Sequence, residues 1–152
     1  MRVLIQCVSR ASVSVDGAVV SSIGRGLVLF VGVGAGDSPG DAAALAAKCA
    51  HLRIMQDEAG KMNRSALEVG AHVLAISQFT LYADTSKGRR PSFVHAASPE
   101  EGQALYETFV GHLKEVGLRV GTGVFGAHMH VEIHNDGPVT ILLESPRPGA
   151  QG

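Results

Sequence analysis

Pro138 restricts what this chain can fold into more than any other residue. It follows Gly137 and stands between two runs of strand character, residues 129–133 and 139–143. Proline lacks an N–H and fixes φ, so it does not belong inside a central strand. An X–Pro peptide needs only about 0.5–1 kcal/mol to become cis, whereas other peptides need several. Gly137-Pro138 is therefore a candidate cis bond. In that form its two adjacent carbonyl oxygens would face one side with no glycine side chain in the way, a main-chain acceptor pair suited to an ammonium group.

Around this point the chain reads as many strands and two main helices. Val3, Ile5 and Cys7 alternate with Leu4 and Gln6, and Val13 and Val15 alternate with serines. Asp16-Gly17 is a two-residue hairpin turn into Ala18-Val19-Val20. Residues 26–34 are almost continuously apolar, as in a strand buried on both faces. Ser38-Pro39 is an N-cap with proline at the first helical position, opening an alanine-rich helix to about His51. Residues 52–55 form a short strand candidate, residues 57–62 a turn, and residues 73–82 a strong strand candidate. Residues 85–97 form a loop long and polar enough to suggest function. Ser98-Pro99-Glu100-Glu101 is a capping box, and its helix runs to about Val116, closed by Gly117. Strands return at residues 118–121, 127–135 and 139–144. The pattern predicts one α+β domain over residues 1–145, with a mostly antiparallel, barrel-like sheet, two packed helices and a frayed tail at 146–152.

Totals exclude several classes. At 152 residues, 45% hydrophobic and 18% charged, the chain can bury a real core and is not a disordered segment. The start has no signal-peptide layout, and no apolar run approaches a membrane span. Cys7 and Cys49 read as reduced and buried, which places the protein in the cytoplasm. A net charge of −1 gives no support to broad binding of nucleic acid, DNA included. Any RNA contact must be local. Lys87-Gly88-Arg89-Arg90 is such a patch, or else a solvated loop; charge alone leaves both open.

Three constellations have ordinary explanations. Residues 121–126, Gly-Thr-Gly-Val-Phe-Gly, match the dinucleotide pattern GxGxxG, but residues 127–134 have the period of a strand and not of a helix. His128, His130, Glu132 and His134 share one face of that strand and read as its solvent side, since no further ligand cluster accompanies them. No metal or cofactor is expected. Ser77, Ser92, Thr80 and His95 offer hydroxyls and a base, yet there is no G-x-S-x-G elbow, so spacing leaves Thr80 an ordinary threonine.

A resemblance adds what spacing does not. Leu4-Ile5-Gln6, Arg10-Ala11-Ser12-Val13, Gly60-Lys61-Met62-Asn63, Ser77-Gln78-Phe79-Thr80-Leu81, Arg90-Pro91-Ser92-Phe93, Ala97-Ser98-Pro99, residues 122–129 and Asn135-Asp136-Gly137-Pro138-Val139-Thr140 occur in order. Together they resemble the D-aminoacyl-tRNA deacylases of bacteria and eukaryotes, whose signatures are SQFTL and NxGPVT. The resemblance implies hydrolysis of the ester between a D-amino acid, or glycine, and the terminal adenosine of tRNA. It implies a homodimer whose active site takes Ser77, Gln78, Phe79 and Thr80 from one chain and a cis Gly137-Pro138 from the other. Phe125, Ala127 and Met129 would line the pocket, and Lys87, Arg89 and Arg90 would meet tRNA phosphates. A non-catalytic RNA-binding module is the alternative.

Overall fold

The computed structural model describes residues 1–146, so the tail expectation falls almost wholly outside the described residues. Strand β1 (Arg2–Val15) turns at Asp16 (φ 50°) and Gly17 (φ 79°) into β2 (Ala18–Ile23), with Val15 opposite Ala18. Two successive positive φ values give the turn whose twist matches a hairpin. Then come β3 (Gly26–Gly32), α1 (Pro39–His51), β4 (Met55–Gln56), β5 (Met62–Arg64) and α2 (Ala66–Val69). The chain continues through β6 (His72–Ser77), a 3-10 turn (Phe79–Tyr82), α3 (Pro99–Glu115), β7 (Arg119–Thr122) and β8 (His130–Glu144).

The main sheet has the order β2-β1-β3-β6-β7, and β8 also pairs with β1. β1 serves β3 along residues 2–8 and β2 along 11–15, while β8 follows it from end to end. One long strand with successive partners curls the sheet toward a barrel. The three pairings of β1 are antiparallel, whereas β3–β6 and β6–β7 are parallel. Parallel neighbours need a crossover. α1 lies in the first crossover and α3 is the second, which is why both helices pack on the same sheet.

The core has two parts. Ile5, Leu27, Leu29 and Val31 meet Leu45 and Cys49 of α1 and Phe109 and Leu113 of α3. Val8, Val13, Val28, Leu74 and Ile76 form a second cluster, with Phe30, Met129, Val131 and Ile133 packed against it. β3 thus supplies both clusters from alternate residues, as its unbroken apolar run predicts. Full burial of side chains such as Phe109 and Leu113 stabilises by about 1.5–3 kcal/mol each.

Several sequence expectations are corrected. The strand expected over 73–82 stops at Ser77, and Phe79–Tyr82 is a 3-10 turn, because Gln78 (φ −143°, ψ 80°) leaves the extended region. The strand expected over 52–55 forms only at Met55–Gln56, because Leu52 caps α1 by donating its N–H to Lys48 O at 2.9 Å. The strand expected from residue 127 begins at His130, after a turn at Gly126 (φ 76°). At Ser98 half of the box forms: its Oγ accepts the Glu101 N–H, but the Glu101 carboxylate takes the Ser98 hydroxyl and not its N–H. The short helix α2 has no counterpart among the expected elements. Its signal is present in Ser65 and Glu68, a complete capping box, followed by a left-handed Gly70 (φ 62°).

Pro138 lies inside β8 after all. Gln6 is opposite Thr140 and Val8 opposite Asn135, so residues 136–139 have only Cys7 across from them. The surplus residues leave the ladder as a large bulge, which removes the need for an N–H at Pro138.

Candidate active site

The first half of the site is the turn after β6. Gln78 N–H donates to Val31 O at 2.8 Å and ties the turn to β3. Leu81 N–H then donates to Gln78 O (3.3 Å) and Ala83 N–H to Thr80 O (3.1 Å). Phe79 and Thr80 open this 3-10 turn, so their N–H groups have no acceptor within it. The Gln78 carboxamide donates to the Thr80 hydroxyl and fixes its rotamer. The turn rests directly on the end of β3: a Cβ at Gly32 would lie 3.0 Å from Gln78 O, and one at Gly34 would lie 2.7 Å from the Tyr82 ring. Only glycine lets the two segments approach this closely.

Ser77, Gln78 and Phe79 line a cavity of about 550 Å³ together with Phe125, Ala127 and Met129. The structure thus brings together six residues singled out by sequence. Phe125 is held by the Tyr106 ring (centroids 6.1 Å apart), and Tyr106 Oη donates to Ala75 O at 2.7 Å. Burial, with Glu107 adding to it, pushes the Tyr106 phenol up to about 12, so it is a neutral donor at physiological pH. Phe93, which sequence did not assign to the pocket, also lines it and meets Phe79 edge to face at 5.0 Å. Phe79 remains 56% exposed at the mouth. The sequence signal for Phe93 was its place directly after Arg90-Pro91-Ser92, a large apolar ring following the polar first half of the loop.

Thr80 and Gly137-Pro138 do not line this cavity. Thr80 is exposed beside it. Gly137-Pro138 is a cis peptide at the exposed crest of the β8 bulge. The bulge is closed by Asn135, whose Oδ1 accepts the Val139 N–H at 2.9 Å. Asn135 Nδ2 donates to Val139 O and Thr140 Oγ1, both at 3.2 Å. Gln6 Nε2 donates to the same threonine oxygen at 3.2 Å. Asn135, Thr140 and Gln6 therefore hold Gly137-Pro138 in place, a role that residue spacing did not reveal. On the inner side of the bulge, Cys7 has its thiol pushed up by burial and next by Asp136, with Arg25 opposing. Cys7 and Cys49 are both free and buried, and burial pushes the Cys49 thiol up to about 12.

Lys87, Arg89 and Arg90 occupy an exposed loop whose ends are closed by Asp84 and Ser92. Asp84 N–H donates to Ser92 O (2.8 Å) and Ser92 N–H to Asp84 O (2.9 Å). Asp84 Oδ1 also accepts the Ser86 N–H at 2.9 Å, and bonds from the Ser86 hydroxyl first and its N–H next hold the carboxyl below its usual range. No ion pair among the described residues engages the three cations. His130, Glu132 and His134 lie on the exposed side of β8, where Ser12 Oγ donates to Glu132 Oε2 at 3.4 Å. No helix among the described residues is long and apolar enough to cross a membrane.

A mixed, curved sheet with two crossover helices thus carries an SQFTL turn over a cavity and an NxGPVT bulge. The family model for D-Tyr-tRNA(Tyr) deacylase matches residues 4–144. A D-aminoacyl-tRNA deacylase of Thermomicrobium roseum is 62% identical over 145 residues, covering 95% of this chain and 94% of the relative. One of Deinococcus radiodurans is 56% identical over 144 residues, covering 95% and 99%. Among solved structures, a c-Myc DNA unwinding element binding protein superposes with a TM-score of 0.91 at 38% identity, over 97% of this chain and all of that one. A probable eukaryotic D-amino acid tRNA deacylase superposes at 0.83 over 93% and 97%; at 18% identity it supports the fold alone. The chain belongs to the D-Tyr-tRNA(Tyr) deacylase family, and by membership it is an enzyme of the hydrolase class.

Proposed function

We propose that this protein hydrolyses the ester joining a D-amino acid to the 3′-terminal adenosine of tRNA, releasing free tRNA and the amino acid. The observation that carries this reading is the cavity joining Ser77, Gln78 and Phe79 to Phe125, Ala127 and Met129 in a chain of this family. Water adds to the ester carbonyl, and the oxyanion so formed is met by the Phe79 and Thr80 N–H groups. Its collapse breaks the acyl bond to the ribose oxygen, which leaves with the proton given up by the water. Preorganised donors of this kind stabilise such a charge by about 3–4 kcal/mol each. The neighbouring ribose hydroxyl of the substrate positions the water, an intramolecular assistance that supplies much of the lowering of the barrier. Thr80, oriented by Gln78, shapes the site and is not an obligatory nucleophile.

The protein acts as a homodimer in the cytoplasm. Gly137-Pro138 of one chain enters the cavity of the other, and its carbonyls hold the substrate ammonium. With ammonium and carbonyl both fixed, a D side chain points to open space and an L side chain into main chain. Each ~1.4 kcal/mol of that clash is tenfold in selectivity. Glycine has no side chain to reject, so glycyl-tRNA mischarged on tRNA-Ala is a substrate too. Lys87, Arg89 and Arg90 contact phosphates near the acceptor end. With a net charge of −1 the electrostatics favour such a local contact over a duplex-wide one.

Hydrolysis of matched D- and L-aminoacyl-tRNA with the same side chain, at equal low enzyme concentration, tests the reading. Rapid loss of the D ester alone is expected. Equal loss of both would remove the Gly137-Pro138 filter and keep the esterase. Loss of neither would leave a non-catalytic RNA-binding module.

A further inference from the structure

Arg2 lies far from both signature motifs in sequence, yet it touches the turn that carries one of them. In the sheet Arg2 sits between Gly32 of β3 and Glu144 of β8. Its Nε pairs with Glu144 Oε1 at 2.7 Å, its Nη1 donates to Leu81 O at 2.7 Å, and its guanidinium lies over the Tyr82 ring, 4.6 Å from the centroid. Leu81 O is near the C-terminal end of the 3-10 turn, where carbonyls lack partners within the turn and a cation is favoured. The Arg2 side chain is 22% exposed and that of Glu144 48%, so water screens the ion pair more than the part-buried bond to Leu81 O. Tyr82, in turn, sits against Gly34 of the segment following β3. The guanidinium and the tyrosine therefore fix the far end of the turn, while Gln78 N–H fixes the near end on Val31 O.

The geometry points to Arg2 as a positioning residue for the reaction, a clamp that sets where the Phe79 and Thr80 N–H groups aim by holding Leu81 O and the Tyr82 ring. This deepens the deacylase reading and rests on it. Arg2 touches no substrate. Lysine cannot replace it, because an ammonium lacks the planar fork that holds a carboxylate and a carbonyl together while stacking on an aromatic face. Donors aimed at a developing charge tolerate little displacement, and misplacement by about 1 Å costs on the order of a hundredfold in rate.

The test compares Arg2→Ala, Arg2→Lys and Glu144→Gln by three measurements on the full chain: kcat and KM on a D-aminoacyl-tRNA, the thermal midpoint, and hydrogen exchange across residues 78–83. For Arg2→Ala we expect kcat to fall by roughly ten- to a hundredfold with KM within about twofold. Exchange should rise at residues 79–83 and stay unchanged in β3 and β6. Arg2→Lys should lie close to Arg2→Ala, and Glu144→Gln close to the parent, since it keeps the Leu81 bond and the stack. A loss of kcat only in proportion to the unfolded fraction, with exchange rising throughout the sheet, would overturn the clamp. So would full rescue by lysine. Should the parent hydrolyse no aminoacyl ester, the proposed function fails on its own account, and the exchange measurement still decides whether Arg2 holds the turn.

Discussion

At the scale of single residues, the signature motifs separate into groups aimed at the cavity and groups that hold those groups. The Thr80 hydroxyl, as distinct from its main-chain N–H, belongs with the second set: it accepts from Gln78, and Thr80 lies outside the cavity lining. Losing one such hydrogen bond costs about 1 kcal/mol, so Thr80→Ala should retain turnover within roughly tenfold of the parent. A dead Thr80→Ala beside a fully active Thr80→Ser, both folded, would make the hydroxyl essential to the reaction and overturn its purely shaping role. Asn135 does the same for the bulge, with one carboxamide satisfying Val139 N–H, Val139 O and Thr140 Oγ1. Asn135→Ala leaves main-chain groups unpaired in a bend with no ladder of its own. A loss of about 1–3 kcal/mol in urea unfolding is expected, together with lower activity. Unchanged unfolding would show that the bulge closes without it.

Among the elements, the 3-10 turn depends on how closely it sits on the end of β3. Gly34→Ala would put a Cβ 2.7 Å from the Tyr82 ring, and overpacking of this kind costs about 1–3 kcal/mol. We expect lower kcat on a D-aminoacyl-tRNA, with the turn displaced; unaltered kcat would mean that the turn tolerates the shift. Helix α3 is joined to β6 by Tyr106, whose phenol has an unfolded value of about 10 and is pushed up to about 12 in the fold. The folded state thus prefers the neutral phenol. That stability is complete below about pH 10 and is lost as pH rises toward about 12. Tyr106→Phe should be less stable than the parent at about pH 7 and should show a shallower decline between about pH 10 and 12 in urea unfolding. Parallel declines would remove the phenol from the alkaline transition. Periodicity and caps made β1, β3, α1 and α3 legible in the sequence, because local pattern and burial agree there. Periodicity misjudged Phe79–Tyr82, whose apolar residues have strand character but are bent by Gln78 and seated on two glycines far earlier in the chain. It also could not reveal Arg2, since the contact to Leu81 exists only after β1 has paired with β3 and β8.

For the whole molecule, the separation of the two motifs is the main fact. Ser77, Gln78 and Phe79 face the cavity, while Gly137-Pro138 is on an exposed crest outside its lining. Among the described residues β8 pairs only with β1, so its other edge is open along a strand that carries a half-exposed Leu142. Long open edges and exposed apolar side chains are usually covered, and a second copy related by a two-fold axis does so with the same surface on both sides. If each site takes its cavity from one chain and its Gly137-Pro138 from the other, two differently damaged chains must rescue each other. Gly137→Ala, whose Cβ would lie 2.9 Å from Val139 N at a φ of 152°, damages the crest. Phe79→Ala damages the cavity mouth. Each homodimer should be nearly inactive. Unfolded together and refolded in equal amounts, half of the dimers are mixed, and each has one intact site of two, so roughly a quarter of parental activity should return. Mixing without subunit exchange should return none. Absence of rescue from refolded mixtures whose dimers are confirmed by sedimentation would place the whole site within a single chain, and the chiral filter would then need another source.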